Sequence, residues 1–194
     1  MISAILLAAG ESRRMGQFKQ LLRLGDKSFV EHCVDNLLAS RLGEIIVVTG
    51  HRHLDVRRAL GDRKVKYAHN ENYHSGMTSS IKRGVESLSD KTQAFVLSLV
   101  DQPEIGPNVV DQIIAEFEKS RAPIVIPTYS GRNGHPILLD IKFKLDIQNL
   151  GPQEDLRRIV RGHRDQTARV EVPEPAVLED FDLPEDYERV LRRL

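Results

Sequence analysis

The sequence predicts an α/β fold: one domain of three layers, Rossmann-like, with helices on both faces of a mostly parallel central sheet. Three observations point there. Apolar runs recur at residues 4–8, 45–48, 94–100 and 124–126, each continuous rather than alternating, as strands buried on both faces read. Helical stripes separate them, with Val30, Cys33, Val34, Leu37 and Leu38 on one and Val110, Ile113, Ile114 and Phe117 on another. Strand and helix therefore alternate along the chain, the order that builds a parallel sheet through right-handed crossovers. Ligands of such sheets lie beyond the carboxyl ends of the strands.

Taken in order, the first run leaves a start without a basic leader and empties into a glycine-containing turn, which does not resemble a secretory signal. The polar stretch from Asn72 to Ser80 opens a helix over residues 79–88. Gly131, Gly134 and Pro136 force a turn beside the apolar residues Ile137, Leu138 and Leu139. Residues 150–175 are polar, with a helix around 154–160 and a short strand near 168–172, and read as an appendage rather than a second domain. A last stripe of Tyr187, Val190, Leu191 and Leu194 predicts a C-terminal helix entered through Pro184 near its first turn.

Composition narrows the function. The 194 residues suit one domain spanning the whole chain, 1–194, whose core buries roughly 70% of the unfolded surface. One Cys forbids an internal disulfide, and Cys33 on its apolar stripe reads as a small buried hydrophobe. With 28 Lys+Arg against 28 Asp+Glu the net charge is zero, so broad electrostatic capture of nucleic acid or an anionic membrane is not expected. The longest nearly apolar stretch, 94–100, falls far short of the roughly 20 residues of a membrane span, and a cytoplasmic location is expected. The seven His are too scattered to suggest zinc.

The first strand runs into Ala8-Ala9-Gly10-Glu11-Ser12-Arg13-Arg14-Met15-Gly16-Gln17-Phe18-Lys19, a small-residue loop with three cations and a hydroxyl. Small residues let backbone N–H groups approach phosphate oxygens while Arg and Lys neutralise the charge, so the loop is suited to polyphosphate. It is neither a Walker loop, because Gln17 and Phe18 follow Gly16, nor a dinucleotide fingerprint, because Glu11 and Ser12 follow Gly10. The run 94–100 ends in Asp101-Gln102-Pro103, which puts a carboxylate at the same sheet edge, where magnesium is its natural partner; an ordinary Asp-containing turn is the alternative. Asp180 and Asp182 precede the last helix as two more candidate metal acids, although a helix start attracts acids in any case. The hydroxyls near Gly76, Met77 and Ser80 suit a base or ribose, or equally a helix cap. An ordinary turn explains the glycines at 131 and 134 but not the company of Arg132, Asn133 and His135, which could shape an acceptor pocket.

Together, the sequence from Leu7 to Gly16 followed by Lys19 resembles the Leu-Ala-Ala-Gly-x-Ser-x-Arg-Met-Gly signature of the nucleotidyltransferase superfamily. Asp101-Gln102-Pro103, Gly76-Met77-Thr78-Ser79-Ser80, Gly134-His135-Pro136 and the stretch from Asp180 to Tyr187 resemble, within it, the molybdenum cofactor cytidylyltransferase family. The likeness spans nearly the whole chain. It implies a nucleotidyltransferase fold and transfer of CMP from CTP to molybdopterin carrying molybdenum, with magnesium, giving molybdopterin cytosine dinucleotide and pyrophosphate. It further implies a recipient molybdoenzyme as a possible partner. By the same likeness Gly10, Ser12, Arg13, Arg14, Gly16 and Lys19 would hold the triphosphate, and Leu7, Ala8 and Ala9 would lie against the base. Gly76, Met77 and Ser80 would add nucleotide contacts. Arg13, Lys19 and Asp101 would act in catalysis, Asp101 with Asp180 or Asp182 would bind the metal, and Gly134, His135 and Pro136 would face the acceptor. Two departures stand on the acceptor side: Leu183 replaces the family's usual Thr, and residues 151–155 match its Gly-Asp-x-Gly-x-Arg turn loosely. A guanylyltransferase, another transferase acting on a small phosphate, and a non-catalytic molybdopterin carrier are the competing readings.

Overall fold

The computed structural model describes residues 1–192. The chain runs β1 (Ile2–Ala8), β2 (Arg23–Leu24), β3 (Lys27–Ser28), α1 (Phe29–Leu38), β4 (Glu44–Thr49), α2 (His53–Leu60), β5 (Lys66–His69), α3 (Met77–Glu86) and β6 (Ala94–Leu99). It continues through α4 (Pro107–Ser120), β7 (Ile124–Tyr129), β8 (Arg132–Asn133), β9 (Ile137–Asp140), α5 (Lys144–Gln148), α6 (Leu156–Gly162), β10 (Thr167–Glu171) and α7 (Pro184–Leu191). The main sheet has the order β10-β7-β9-β6-β1-β4-β5, with β8 paired to β7. All of its pairings are parallel except those of β9 with β6 and β7 and of β8 with β7.

The strands are apolar throughout because both of their faces are covered. Ala4, Leu6 and Ala8 of β1 face one core with Val30 and Val34 of α1, Val56 of α2 and Ile113 of α4. Ile5 and Leu7 face the opposite core with Ile81 and Val85 of α3, Ile147 of α5 and Ile159 of α6. This is the expected three-layer α/β arrangement with a mostly parallel sheet. Because β1 and β6 are neighbours in parallel register, with Leu7 opposite Leu99, the chain leaves both strands at one edge.

Several expectations change in detail. The segment 150–175 is not an appendage: β10 pairs in parallel with β7 and completes the sheet, and Leu156 and Ile159 of α6 enter the core. As an edge strand β10 is only partly covered, so its residues lack the apolar run that marks a central strand. Leu38 and Leu191 are 41% and 43% exposed, because Leu37 and Val190 beside them take the inward direction on their helices. Tyr187 and Val190 dock α7 as expected, while Leu194 lies outside the described residues. Among the described residues no helix is long and apolar enough to cross a membrane.

Candidate active site

The loop after β1 is held from inside by a residue that sequence reasoning missed. Gln20 is 1% exposed and donates from Nε2 to the carbonyls of Ala8 (3.2 Å) and Gly10 (2.8 Å). Its Oε1 accepts from the Ser12 hydroxyl at 3.0 Å, and that hydroxyl accepts the Lys19 backbone N–H at 3.1 Å. Met15 plugs the loop into a small core with Leu22, Leu24 and Phe29. Gly16 turns at φ +68°, a conformation that glycine adopts without strain. The Ser12 side chain thus works on the loop itself. A single glutamine ten residues beyond Gly10 carries no pattern that would have disclosed this.

The acids arrive from far apart in the chain. Asp101 follows β6, and its carbonyl accepts the Phe181 backbone N–H at 2.9 Å, which lays residues 180–182 alongside it. Phe181 is buried against Phe29 (centroids 5.5 Å apart), Phe29 meets Tyr187 at 5.8 Å, and the Tyr187 hydroxyl donates to the Arg23 carbonyl at 2.7 Å. The result is a lysine clasped by two carboxylates: Lys19 Nζ donates to Asp101 Oδ2 at 2.7 Å and to Asp182 Oδ1 at 2.8 Å. Arg14 holds the other oxygen of Asp182 at 2.7 Å. Asp182 is therefore not the cap of α7; Asp186 reaches back instead to the N–H groups of Asp182 and Leu183 at 3.2 and 2.9 Å.

The electrostatics follow from this clasp. Burial disfavours charge on Lys19, but Asp101 and Asp182 outweigh it and raise its pKa above 10.5. Burial likewise works against ionised Asp182, and Lys19 and Arg14 overcome it and hold that carboxyl below 3.8. Among the described residues Asp180 has no cation within ion-pair distance, and burial, Asp182 and Asp101 all push its carboxyl upward. His135 is driven toward the neutral form by burial, with Asp101 opposing and Arg157 assisting.

These groups line a cleft of about 900 Å³. Arg14, Lys19, Met77, Asp101, Asp180, Asp182, Gly134 and His135 of the expected site residues meet there. Arg13 instead points to Glu11 with its side chain 80% exposed. Leu7, Ala8 and Ala9 are buried, so their side chains belong to the core. Ser80 is buried and takes a hydrogen bond from Asn70 at 3.0 Å, while Gly76 itself starts α3 without a side-chain cap. Gly10, Ser12, Gly16, Gly76, Ser80 and Pro136 do not line the cleft wall itself. Gly134 is a close-approach position, since a Cβ there would stand 2.4 Å from the Val177 carbonyl oxygen.

Among the described residues no three His, Cys, Asp or Glu side chains are already grouped around one point. The carboxylates still suit a hard cation: Asp101 Oδ1 is buried without a hydrogen-bond partner, and Asp180 beside it lacks a counter-charge. Two protein carboxylates, with substrate phosphates and water completing the shell, is the ordinary way magnesium is held.

Residues 4–169 match the model of the MobA-like NTP transferase domain. The chain belongs to that family. It is a MobA-like nucleotidyltransferase that is 26% identical to the molybdenum cofactor cytidylyltransferase of Escherichia coli K12, over 96% of this chain and 93% of that one. It is 27% identical to the purine catabolism protein PucB of Bacillus subtilis 168, over 98% and 96% respectively. Among solved structures, Rv0371c of Mycobacterium tuberculosis H37Rv superposes with a TM-score of 0.88 at 25% identity, covering 98% of this chain and 97% of that one. Its homolog from Mycobacterium sp. strain JC1 gives 0.85 at 26%, over 99% and 96%.

Proposed function

We propose that this MobA-like transferase moves CMP from CTP to the terminal phosphate of molybdopterin, releasing pyrophosphate and leaving molybdopterin cytosine dinucleotide. The observation that carries the reading is the convergence of Lys19, Asp101 and Asp182 at the mouth of the cleft, where the loop after β1 meets the end of β6. The E. coli relative supports the choice of nucleotide and acceptor.

In this reading the loop after β1 receives the triphosphate on its backbone N–H groups, with the Gln20 clamp keeping it in shape. Lys19 and Arg14 neutralise charge gathering on the departing pyrophosphate, a role in which Arg13 could join only by leaving Glu11. Asp101 with Asp180 would hold Mg2+, because Asp180 is the acid without a cation while Asp182 is engaged by Lys19 and Arg14. When bound, the ion lowers the charge cost at the α-phosphate. An acceptor phosphate oxygen attacks the α-phosphorus in line, a new P–O bond forms, and the bond to the β-phosphate oxygen breaks. A phosphate nucleophile is already ionised near neutral pH, so positioning and charge neutralisation supply the acceleration without a strong general base. Gly134 and His135 would face the acceptor.

The similarity to PucB, equal in degree, favours a second reading in which the same chemistry serves a different acceptor. Pyrophosphate release is measured with each of the four nucleoside triphosphates, Mg2+ and molybdopterin. Release with CTP alone supports the proposal, preference for GTP makes the chain a guanylyltransferase, and nucleotide binding without release makes it a carrier.

A further inference from the structure

One wall of the cleft carries charge that no carboxylate among the described residues answers. Arg157 and Arg161 stand at i and i+4 on one stripe of α6, Arg164 follows in the turn beyond the helix, and all three line the cleft. Arg169 of β10 extends the stripe and touches Asn133 Oδ1 at 3.3 Å. Among the described residues none of the four has a carboxylate within ion-pair distance. Apart from Arg57, Arg121 and Arg132, every other arginine among the described residues does have one. The acid that shares this wall, Asp155, spends its carboxylate on the Arg157 backbone N–H at 2.9 Å. Like charges at helical spacing repel, so the stripe is disfavoured until an anion joins it.

Two buried polar atoms beside the wall are also unanswered. Gln102 is 6% exposed, lines the cleft and has no partner for Oε1, and Nδ1 of His135 is likewise buried and unpartnered. Buried polar groups are satisfied in native proteins, by a ligand where no side chain serves.

We propose that this wall is an anion subsite for the acceptor, which carries a second anionic group besides the phosphate that reacts. The subsite rests on the transferase reading above. At about 1.5 Å per residue Arg157 and Arg161 are about 6 Å apart along α6, Arg164 and Arg169 continue the charge beyond the helix, which is more than one phosphate bridges, and the same cleft is lined by Lys19 and Asp101. The acceptor is thus a small molecule with two separated anions and a hydrogen-bonding body for Gln102 and His135.

The test uses the full chain and α,ω-alkane bisphosphonates, against alkyl monophosphonates of equal length, titrated by calorimetry with and without α,β-methylene-CTP and Mg2+. The wild type should bind the best-spaced bisphosphonate at least tenfold more tightly than its monophosphonate. In Arg161→Gln/Arg164→Gln, whose residues are exposed, that advantage should fall below twofold while affinity for the CTP analogue stays within twofold. Equal binding of the two probe classes, or an advantage that survives the double substitution, overturns the subsite. Failure of the analogue to bind either protein overturns the nucleotide reading instead, and the titrations without analogue still judge the wall.

Discussion

Lys19→Met removes the ammonium from between Asp101 and Asp182 and leaves a side chain of similar length. The Lys19, Asp101 and Asp182 side chains are only 13%, 18% and 21% exposed, so the two carboxylates keep little solvent to replace the lost partner. Breaking a buried pair from one side costs about 3–5 kcal/mol. Arg14 remains on Asp182, and a fifth of each carboxylate is still wet, so the lower end applies, about 3 kcal/mol. With a urea slope of about 2 kcal/mol per molar, the midpoint falls by roughly 1.5 M. The sign of the pH dependence is determined by both partners. Asp182, held below its ordinary 3.8, contributes stability that is present above that value and is lost as pH falls through its lower folded value. Lys19, held above 10.5, contributes stability that is present below that value and is lost as pH rises through its higher folded value. The gap between wild type and variant should therefore be widest from about pH 5 to 9 and narrow on either side. Urea titrations at several pH values, followed by circular dichroism, measure it. A neutral-pH difference below about 0.5 kcal/mol, the range of an ordinary surface change, or a gap that does not vary with pH, would refute the clasp.

Further outcomes follow from the same contacts. Asp101→Asn should lower CMP transfer by on the order of a hundredfold or more while the folded circular dichroism spectrum is retained, and near-normal turnover would remove Asp101 from the chemistry. Phe181→Ala should cost about 3–5 kcal/mol in chemical denaturation because it empties the pocket against Phe29, and it should also slow transfer by releasing Asp180 and Asp182 from Asp101. Unaltered transfer in a folded Phe181→Ala protein would show that the acids do not depend on that anchor. Gly134→Ala drives a Cβ against the Val177 carbonyl, which cannot swing aside as a side chain could, and should destabilise by about 1–3 kcal/mol; an unshifted melting temperature would contradict that close approach.

Much of the fold was legible because its signals are local. The runs that became β1, β4, β6 and β7 are apolar on both faces, and the stripes of α1 and α4 repeat at the helical period. β5 was not readable in the same way, since an edge position leaves such a strand half wet and its residues mixed, and β10 was read as a short strand near 168–172 without its place in the main sheet. At the site, the phosphate-type loop and Asp101 stood out because each follows a strand end. Gln20 did not, because a glutamine's worth there depends on carbonyls that the folded loop turns toward it. The spacing of Arg157, Arg161 and Arg164 was visible as letters, but a helical stripe of arginines is ordinary until the cleft beside it is known.

The amino-acid order alone identified the strands β1, β4, β6 and β7 and the helices α1 and α4, and showed that two chemically suited segments leave the sheet at one edge, because burial periodicity and chain direction are properties of neighbours in sequence. Only the tertiary structure decided that Asp182 would meet Lys19, 163 residues away, that Asp180 would be left without a counter-charge, and that Arg13 would turn outward. The first two outcomes depend on Phe181 packing against Phe29 and on one backbone hydrogen bond to Asp101. Such long-range contacts follow from how the layers close over one another, which no local pattern encodes.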